Sequence, residues 1–527
     1  MRYPTLLHEY FEITAARNPG KVALVCQNRR WTYQVISEQS DSLSRALTNL
    51  GAQKQDRVVV YMDNDAEVVI AMIGVMKAGA IFVNLNGRLK PKKLSYILRD
   101  SGATVLITSV SKSAAVTEAL ENADDLRAII WKGAIASVPA RLTPRSYFWD
   151  DVCSGRPIAG PDRRNKTAVN SHRMIDQDLA ALIYTSGSTG EPKGVMSSHY
   201  NMVSAAKSII HYLQNRESDI ILNVLPLSFD YGLYQVIMSC LFGGTVVLEE
   251  SFMFIHSTLK RVEEERVTGF PLVPTILAMM LNRQDLKKYD FSSLRYVTNT
   301  GAALPVEHIR RFRGLFPDVQ LYSMFGLTEC KRVCYLPPEE VDRRPSSVGK
   351  AIPNCEVWIE DESGREVRPG ETGELVIRGS NVMRGYWNAP ELSAKYFRPG
   401  RYPGELVLYS GDYFHKDEEG YLYFQGRKDD MIKCRGERVS AKEVENILYE
   451  IPGIKEAAVI GIPDGIEGQS IKAFVIVNPT AGLDEKNIRK YCADHLEPFA
   501  VPRYIHFIDE LPKTPNGKID KKWLMEK

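Results

Sequence analysis

The alternation of short apolar runs with helix-like segments constrains the fold of this chain more than any other feature. Residues 57–61, 104–107 and 128–131 are short and almost wholly apolar, which is typical of strands buried on both faces of a parallel sheet. Between the first two, apolar residues recur at helical spacing over 68–76. The pattern predicts an α/β fold with doubly wound parallel sheets, in which ligands bind at the carboxyl ends of the strands. Further apolar runs follow at 179–184, 220–225, 245–248, 294–298 and 319–322.

The residue pattern changes in the last third of the chain. Residues 369–373 and 398–404 are rich in Gly and Pro, which predicts a β-rich subdomain of short strands. The polar segment 426–430 then separates two predicted domains, one over 1–428 and a small α+β domain over 429–527. The second domain is predicted to contain helices at 441–449 and 485–495 and strands at 457–462 and 472–477.

Composition narrows the classes of protein that this chain can represent. Its 527 residues include 67 Lys and Arg and 65 Asp and Glu, so the net charge is only +2, and 44% of the residues are hydrophobic. These values exclude an intrinsically disordered chain, which needs low hydrophobicity and high net charge. They also exclude a nucleic-acid binder that acts through bulk positive charge.

The cysteines and the two ends of the chain predict a cytoplasmic protein. The eight cysteines are scattered and form no Cys-x-x-Cys pair, which argues against a disulfide scaffold or a structural zinc site. The N-terminus soon reaches Glu9 and does not resemble a signal peptide, and the C-terminus carries no peroxisomal or lipidation signal. The most apolar stretch, 68–76, is too short to span a membrane.

Residues 184–194 have the composition of a phosphate-binding loop. They read YTSGSTGEPKG and follow an apolar run that predicts a strand, with a helix predicted after them. Glycines let the backbone approach a ligand, hydroxyls and amides donate to phosphate oxygens, and Lys193 adds positive charge. Because Pro192 precedes Lys193, the segment is not a Walker A loop, and a flexible Gly/Ser linker is the alternative. The residues predicted to bind the nucleotide here are Thr185, Ser186, Gly187, Ser188, Thr189, Gly190 and Lys193.

This loop resembles the signature loop of the AMP-forming adenylating enzymes, which include acyl-CoA ligases, adenylation domains of nonribosomal peptide synthetases, and luciferases. The resemblance implies a large N-terminal domain of two doubly wound sheets plus a β-rich subdomain, followed by a small mobile α+β domain. It also implies ATP and Mg²⁺ as cofactors. Four further segments resemble the other motifs of the superfamily in the same order: YSMFGLTE at 322–329, YSGD at 409–412, GRKD at 426–429 and PKTPNGK at 512–518.

The resemblance implies a role for each motif position. Lys518 would contact both the substrate carboxylate and the α-phosphate, where it offsets the repulsion between two anions. Thr328 would donate to the α-phosphate, and Glu329 would supply the hard oxygen ligand that Mg²⁺ prefers. The implied contacts to adenine are Phe325 and the backbone of Gly301, Ala302 and Ala303, and those to ribose or phosphate are Asp412 and Arg427.

A hinge and a thiol tunnel are implied by the same motifs. Asp429 matches the hinge about which the small domain rotates after adenylation, and Gly436 lines the tunnel for an incoming thiol. Rotation of this kind is a gating step. We therefore expect Lys518→Ala to remove adenylate formation and Gly436→Leu to remove mainly thiol transfer.

The segment 225–232, LPLSFDYG, aligns with the motif that opens the acid-binding pocket. Many acyl- and aryl-CoA ligases carry a His near the position of Phe229, and this chain has none there. Amino-acid-activating domains carry Phe-Asp, and Asp230 would pair with the α-ammonium group of the substrate, since a buried cation needs a partner. Two alternatives are a carboxylate that caps the following helix and a polar pocket group for a hydroxylated acid.

The implied pocket is modest and partly apolar. Segment 327–338 resembles stand-alone prolyl-AMP ligases, so L-proline is the first substrate that we expect. Arg332 is unusual in such a pocket, and we expect its side chain to point outward. The remaining positions implied to contact the acid are Tyr231, Tyr234, Pro271, Thr298, Thr300, Met324 and Val333.

The acceptor is expected to be a separate protein. No carrier domain follows residue 527 in the sequence, so a free-standing peptidyl carrier protein with a phosphopantetheine thiol is the predicted partner, and coenzyme A is the alternative. Two other functions compete with this prediction: an acyl-CoA ligase for a small acid, and a catalytically inactive binding protein. The second is disfavoured because Lys193, Glu329, Asp412 and Lys518 are all present.

Overall fold

The structure of the chain is a computed structural model. It describes residues 3–120, 126–134, 138, 142, 146–154, 174–186, 191–428, 431–434, 437–464, 468–514 and 517–526. The chain divides into two compact units. The first comprises Met1–Pro271, Thr328–Arg332 and Gly379–Leu406, and the second comprises Leu272–Leu327, Val333–Arg378 and Val407–Lys527.

Strands and helices alternate along most of the described chain. The strands are β1 (Val22–Cys26), β2 (Arg29–Thr32), β3 (Arg57–Met62), β4 (Ile81–Asn86), β5 (Ala103–Ser109), β6 (Ala128–Lys132), β7 (Ser146–Phe148), β8 (Leu179–Ser186), β9 (Pro192–Ser198), β10 (Ile220–Asn223), β11 (Thr245–Leu248), β12 (Gly269–Leu272), β13 (Tyr296–Asn299), β14 (Gln320–Phe325), β15 (Cys334–Leu336), β16 (Lys350–Ala351), β17 (Cys355–Glu360), β18 (Gly373–Gly379), β19 (Phe397–Pro399), β20 (Leu406–Lys416), β21 (Leu422–Arg427), β22 (Ile432–Cys434), β23 (Glu437–Val439), β24 (Ile454–Asp464), β25 (Gly468–Val477) and β26 (Tyr504–Phe507).

The α-helices are α1 (Leu7–Arg17), α2 (Tyr33–Asn49), α3 (Ala66–Lys77), α4 (Pro91–Ser101), α5 (Ser113–Ala119), α6 (Trp149–Cys153), α7 (His199–Leu213), α8 (Asp230–Phe242), α9 (Ile255–Glu264), α10 (Pro274–Leu281), α11 (Val306–Leu315), α12 (Pro390–Tyr396), α13 (Ala441–Glu450), α14 (Glu485–His495) and α15 (Lys521–Met525).

Two mostly parallel sheets organise the first unit. One has the order β7-β6-β5-β3-β4-β8-β9, in which only the β8–β9 pair is antiparallel. The other runs β12-β10-β11-β1-β2, with only β1–β2 antiparallel. Strand β3 is buried almost throughout because its sequence, RVVVYM, is apolar on both faces. The α/β class and the strand predicted at 57–61 are confirmed.

One predicted boundary near the phosphate loop is wrong. The sequence predicts a strand, the loop and then a helix, whereas the structure inserts β9 between the loop and α7. The segment that forms β9 contains Pro and Gly and has no period-2 alternation, so its strand conformation comes from pairing with β8. Lys193 therefore lies on a strand.

The second unit is richer in antiparallel pairs. Strands β13 and β14 are parallel, and β15 and β16 continue from β14 in antiparallel register. Strands β17, β18, β20 and β21 pair in that order and confirm the predicted β-rich region. The C-terminal sheet has the order β23-β22-β25-β24, with β26 beside β25. Its core with α13 and α14 includes Val444, Leu448, Val459 and Ile488.

The C-terminal segment therefore has strands, helices and a core of its own, as expected for a smaller domain. Helix α14 coincides with the prediction at 485–495. The boundary between 428 and 429 stays a prediction, and Asp429 lies outside the described residues.

None of the eight cysteines, all of which lie in the described part of the chain, forms a disulfide bond. Across the described part of the chain, no helix is both long and apolar enough to cross a membrane.

Candidate active site

The base of the predicted phosphate loop is a β-hairpin in the first unit. Thr185 on β8 stands opposite Lys193 on β9, and Ser186 stands opposite Pro192. The antiparallel register therefore places the side chains of Thr185 and Lys193 on the same face of the hairpin. The loop residues Gly187, Ser188, Thr189 and Gly190 lie outside the described residues.

The turn that carries Thr328 and Glu329 is attached to this hairpin. The phenol of Tyr386 donates to Glu329 Oε1 at 2.7 Å, and the backbone N–H of Met383 donates to the Glu329 carbonyl at 2.9 Å. The same segment joins β9, because Met196 N–H donates to the carbonyl of Gly385 at 2.9 Å. Segment 383–386 thus links Glu329 to the strand of Lys193. Tyr386 has no motif of its own, and the sequence did not indicate it.

The chemistry of Glu329 fits a magnesium ion that is bound mainly through a nucleotide. Mg²⁺ keeps several waters and is usually held by one or two carboxylates and substrate phosphates. Tyr386 engages one carboxylate oxygen of Glu329, and no described residue donates a hydrogen bond to the other. Within the described ranges, no group of three His, Cys, Asp or Glu side chains forms a metal cage. Glu329 in the described chain therefore fits an ion that is held by one carboxylate and by substrate phosphates.

Helix α8 presents the predicted acid-binding residues. It begins at Asp230, and the N-cap residue is Phe229, which makes no side-chain capping hydrogen bond. The alternative that Asp230 caps this helix is therefore wrong. Tyr231 and Tyr234 are buried on the same helix, and Asp230 and Tyr234 share a face because they are four residues apart.

Two cations from the turn after Glu329 lie against this helix. Arg332 is only 4% exposed, and its guanidinium carbon is 5.0 Å from the centre of the Tyr231 ring. The expectation that Arg332 points outward is wrong. Lys331 is 3% exposed, and its Nζ is 5.1 Å from the centre of the Tyr234 ring. The aromatic faces favour cations at these positions.

Burial sets the charge behaviour of Lys331. Desolvation lowers its pKa to about 8, although the nearby Asp230 and Glu329 carboxylates act in the opposite direction. Sequence reasoning missed Lys331. The available signal was its position in the segment 327–333, between the predicted magnesium ligand Glu329 and the predicted acid contact Val333.

Of the other predicted acid contacts, Pro271 is buried on β12 in the first unit, and the remaining four lie in the second unit. Thr298, Thr300, Met324 and Val333 are all buried there. Gly301, which follows Thr300, has a φ of +87°, a left-handed conformation that glycine adopts without strain.

The turn at Gly301 continues into the predicted adenine contacts. It is closed by Asn299, whose Nδ2 donates to the carbonyl of Ala302 at 3.0 Å. Ala303 accepts a hydrogen bond from Lys442 Nζ at 3.4 Å, which brings α13 to the end of this turn.

The residues predicted to contact ribose and adenine form an ion pair and an aromatic cluster in the second unit. Asp412 on β20 and Arg427 on β21 are register partners, and Arg427 Nε lies 3.5 Å from Asp412 Oδ1. Phe325 is half-buried, with its ring centre 4.9 Å from Phe414 and 6.0 Å from Phe424. The pairing of β20 with β21 therefore brings together two residues that the sequence separates by fifteen positions.

The loop of Lys518 is held by contacts within the second unit. Thr275 Oγ1 donates to the carbonyl of Gly517 at 2.9 Å, and Lys518 N–H donates to Thr514 Oγ1 at 3.2 Å. Thr275 begins α10 and was not singled out by the sequence. Gly436, the predicted tunnel residue, lies outside the described residues.

Comparison with known proteins assigns the chain to a family. The AMP-binding enzyme family matches residues 11–387, and the AMP-binding enzyme C-terminal domain matches residues 443–518. The chain belongs to this family of AMP-forming ligases, whose members use ATP with Mg²⁺. The resemblance on the five motifs is thereby confirmed.

Similar proteins include CoA ligases and a gramicidin synthase subunit. The chain is 32% identical to a long-chain-fatty-acid–CoA ligase of Bacillus subtilis, over 97% of this chain and 93% of that protein. It is 30% identical to a linear gramicidin synthase polypeptide of Brevibacillus parabrevis, over 99% of this chain and 6% of that protein. Its fold matches that of the anthranilate CoA ligase AuaEII in complex with anthranoyl-AMP, with a TM-score of 0.88, 29% identity and coverage of 100% and 98% of the two chains.

Proposed function

We propose that this protein converts a small carboxylic acid to an acyl-AMP and transfers the acyl group to coenzyme A. The observation that carries the choice of acid is the pair of cations beside Asp230. Lys331 and Arg332 are both buried against α8, the helix that begins at Asp230, and Asp230 acts on the Lys331 ammonium, so a substrate ammonium would be a third cation there. Coenzyme A is favoured as acceptor because relatives of similar length are named as CoA ligases.

The first half-reaction joins two anions. A carboxylate oxygen of the acid attacks the α-phosphorus of ATP, an O–P bond forms, and the bond to the pyrophosphate leaving group breaks. Lys193 and Lys518 supply positive charge that offsets the repulsion, and Thr328 donates to the α-phosphate. Glu329 would hold Mg²⁺, which would supply positive charge to the phosphates.

The nucleoside end of ATP is assigned to the second unit. Asp412 accepts hydrogen bonds from the ribose hydroxyls, and the Arg427 side chain beside it orients that carboxylate. Phe325 offers a flat face to adenine, and the turn from Gly301 to Ala303 offers backbone groups. These positions align the nucleotide so that the α-phosphorus meets the acid.

The second half-reaction transfers the acyl group to a thiol. The thiol sulfur attacks the acyl carbon, a thioester forms, and AMP leaves with the bonding electrons. Asp429 is the proposed hinge for the change between the two half-reactions, and Gly436 is the proposed tunnel residue.

Pyrophosphate exchange tests the first half-reaction with the full chain. The panel comprises small monocarboxylic and dicarboxylic acids, aromatic acids, fatty acids and the amino acids, including L-proline. We expect exchange with one or more small acids and a loss of at least about 10²-fold in Lys518→Ala. Absence of exchange with every acid contradicts the proposal.

The acceptor is tested with the acid that gives exchange. Coenzyme A and a phosphopantetheinylated carrier protein are supplied separately, and thioester formation is measured for each. We expect turnover with coenzyme A. Turnover with the carrier protein alone overturns this part of the proposal.

A second candidate is activation of an amino acid, with L-proline first, for a separate carrier protein. It is favoured by Asp230, which sits at the position that amino-acid-activating domains use, and by the similarity to gramicidin synthase. Asp230→Ala discriminates the two. Exchange restricted to amino acids, with a selective loss in Asp230→Ala, supports this second candidate and contradicts the first.

A further inference from the structure

A cluster of buried polar atoms between α8 and the turn 328–332 has donors but lacks acceptors. Lys331 Nζ, Arg332 Nε and the hydroxyl of Tyr234 are all buried and find no hydrogen-bond partner in the described chain. Tyr234 itself is 2% exposed. A buried polar group that is left unsatisfied destabilises the fold, and a charged one does so more strongly. Three of them in one place indicate that an acceptor belongs there.

The chain holds Lys331 in this position by an unusual backbone arrangement. Its φ is +63°, in the left-handed region that non-glycine residues rarely adopt. Asn381 clamps both sides, because its Nδ2 donates to the carbonyl of Cys330 at 3.0 Å and to that of Arg332 at 2.8 Å. Strained backbone that is held by its surroundings occurs at binding sites, because the strain persists only where neighbours enforce it. The inward direction of Lys331 is therefore built into the fold.

Close packing also fixes the position of α8, the helix that carries Tyr234. Gly232 packs so closely on the preceding turn that a Cβ there would lie 2.4 Å from the carbonyl oxygen of Pro226. Its own carbonyl accepts a hydrogen bond from Asn223 Nδ2 at 3.2 Å. Tyr234 is thus presented from a helix whose first turn cannot shift without loss of contacts.

The chemistry of the missing acceptor follows from the donors. An ammonium has donors only, a guanidinium has donors only, and a phenol can donate its single proton. A carboxylate has about four lone-pair positions and a negative charge, so it has enough acceptor positions for all three groups. A water molecule or a substrate hydroxyl brings no charge to offset the two cations.

The charges around the cluster agree with an incoming anion. Lys331 and Arg332 are the two basic side chains of the cluster, and Asp230 is an acidic side chain that acts on Lys331. The other nearby carboxylate, Glu329, accepts a hydrogen bond from Tyr386 and is the proposed magnesium ligand.

We infer that Lys331, Arg332 and Tyr234 form a subsite for a second carboxylate of the substrate, so that the acid activated by this protein is a dicarboxylic acid. The inference rests on the proposed function and names the class of its substrate. One carboxylate reacts at the α-phosphorus of ATP, and the other is held at Lys331. An apolar fatty-acid tail would leave the same donors desolvated and unpaired.

The experiment compares matched acids on the full chain. Linear dicarboxylic acids from three to eight carbons and one aromatic dicarboxylic acid are tested by pyrophosphate exchange, each beside its mono-amide and the monocarboxylic acid of equal length. We expect the wild-type protein to prefer one dicarboxylic acid over its two analogues by at least about 10-fold in kcat/KM, because loss of one charged hydrogen bond corresponds to about 10–100-fold in binding.

Variants test the subsite itself. Lys331→Met removes the charge at similar length, and Tyr234→Phe removes only the hydroxyl. We expect Lys331→Met to reduce the preference for the dicarboxylic acid about 10–100-fold, mainly through KM, and Tyr234→Phe to reduce it several-fold. Lys331→Arg should restore part of the preference. Lys92→Met, on the exposed face of α4, is the matched control and should leave the preference unchanged.

The outcomes separate the inference from the proposed function. Exchange with small acids but equal or better use of monocarboxylic acids, or a preference that Lys331→Met does not alter, overturns the inference alone. Exchange with no acid at all overturns both. If Lys331→Met does not fold, Tyr234→Phe decides, because loss of one hydroxyl leaves the packing of α8 in place.

Discussion

Two buried polar side chains in the first unit show how differently the same kind of group is used. Asn201 on α7 has all its amide positions engaged: its Nδ2 donates to the carbonyls of Ser380 and Val382 at 2.9 Å, and its Oδ1 accepts from the backbone N–H and the hydroxyl of Ser198. Lys331 is equally buried, but its ammonium has no partner among the described residues. The first side chain joins segments of the fold, and the second lies where a ligand is expected.

The contrast gives a physical criterion for separating structure from function. Burial of a polar group costs free energy unless hydrogen bonds replace those lost to water. Where the chain supplies those bonds, removal of the side chain should reduce stability. Where the chain does not supply them, removal should alter binding and leave stability unchanged or improved.

The largest effect is expected at the fully bonded site. Asn201→Leu keeps the volume but leaves two carbonyls and two donors without partners, so the free energy of unfolding should fall by about 3 kcal/mol or more. Urea unfolding of the purified chain measures it. Asn282→Leu, at the exposed end of α10, is the control and should change the value by less than about 0.5 kcal/mol. A loss below about 1 kcal/mol at Asn201 would break the contrast.

Buried His199 is intermediate between Asn201 and Lys331, because only one of its two ring nitrogens has a hydrogen-bond partner in the described structure. Its Nδ1 accepts a hydrogen bond from Leu7 N–H at 3.2 Å, and its Nε2 has no partner in the described structure. Burial lowers its pKa to about 3, with a smaller effect of His8 in the same direction. The unfolded state, with an ordinary histidine pKa near 6.5, therefore binds the proton first as the pH falls.

Because the pKa of His199 is lower in the folded state than in the unfolded state, the free energy of unfolding should fall as the pH falls. Stability due to neutral His199 is complete above about pH 6.5 and is lost as the pH falls toward 3, by about 2 kcal/mol between pH 7 and pH 5. His199→Asn keeps an acceptor near Leu7 but cannot be protonated. Between pH 7 and pH 5, the free energy of unfolding of this variant should therefore fall by about 2 kcal/mol less than that of the wild type. His256→Asn, an exposed histidine, is the control and should follow the wild type. Equal slopes for His199→Asn and wild type would contradict the burial argument.

A hydrogen bond in the second unit tests whether one satisfied contact also serves catalysis. Thr275→Val removes the donor to the carbonyl of Gly517, next to Lys518, and Thr275→Ser keeps it. We expect pyrophosphate exchange to fall about 3–10-fold in Thr275→Val, and thiol transfer from a supplied acyl-AMP to stay unchanged. Equal losses in Thr275→Val and Thr275→Ser would show that the methyl packing, and not the hydrogen bond, matters.

The smallest change is expected in the stability of Lys331→Met. The methionine fills similar volume without a buried charge, so the free energy of unfolding without ligand should rise or change by less than about 1 kcal/mol. The same urea unfolding used for Asn201→Leu gives the value. A loss as large as that of Asn201→Leu would show that Lys331 is structural and would remove the contrast between the two sites.

Much of the fold could be predicted because its strands are locally unambiguous. The apolar run at 245–248 became β11 without a shift, and the helix predicted at 485–495 became α14. Strand β9 could not be predicted, because Pro, Gly and two serines give it no local preference and only pairing with β8 makes it a strand. Local pattern was sufficient where the side chains themselves carry the preference.

The candidate site likewise contains some residues that the sequence predicts and others that it does not. The motifs predict roles for residues such as Glu329, Asp412 and Lys518, because the type of chemistry is tied to local sequence there. They did not identify Tyr386, which reaches Glu329 across fifty-seven positions, or the inward direction of Arg332. Those facts depend on which segments pack together, and a single sequence does not encode distance in space.

Five ordered motifs and a strong strand–helix alternation were enough to establish the class of fold and the family chemistry, because both are written in local residue patterns. What surrounds Asp230 became evident only in the folded chain. A positive φ at Lys331 and the clamp of Asn381 turn a residue type that is usually exposed into a buried cation beside Tyr234. The substrate that we propose depends on those buried side chains, and burial arises only when the chain has folded.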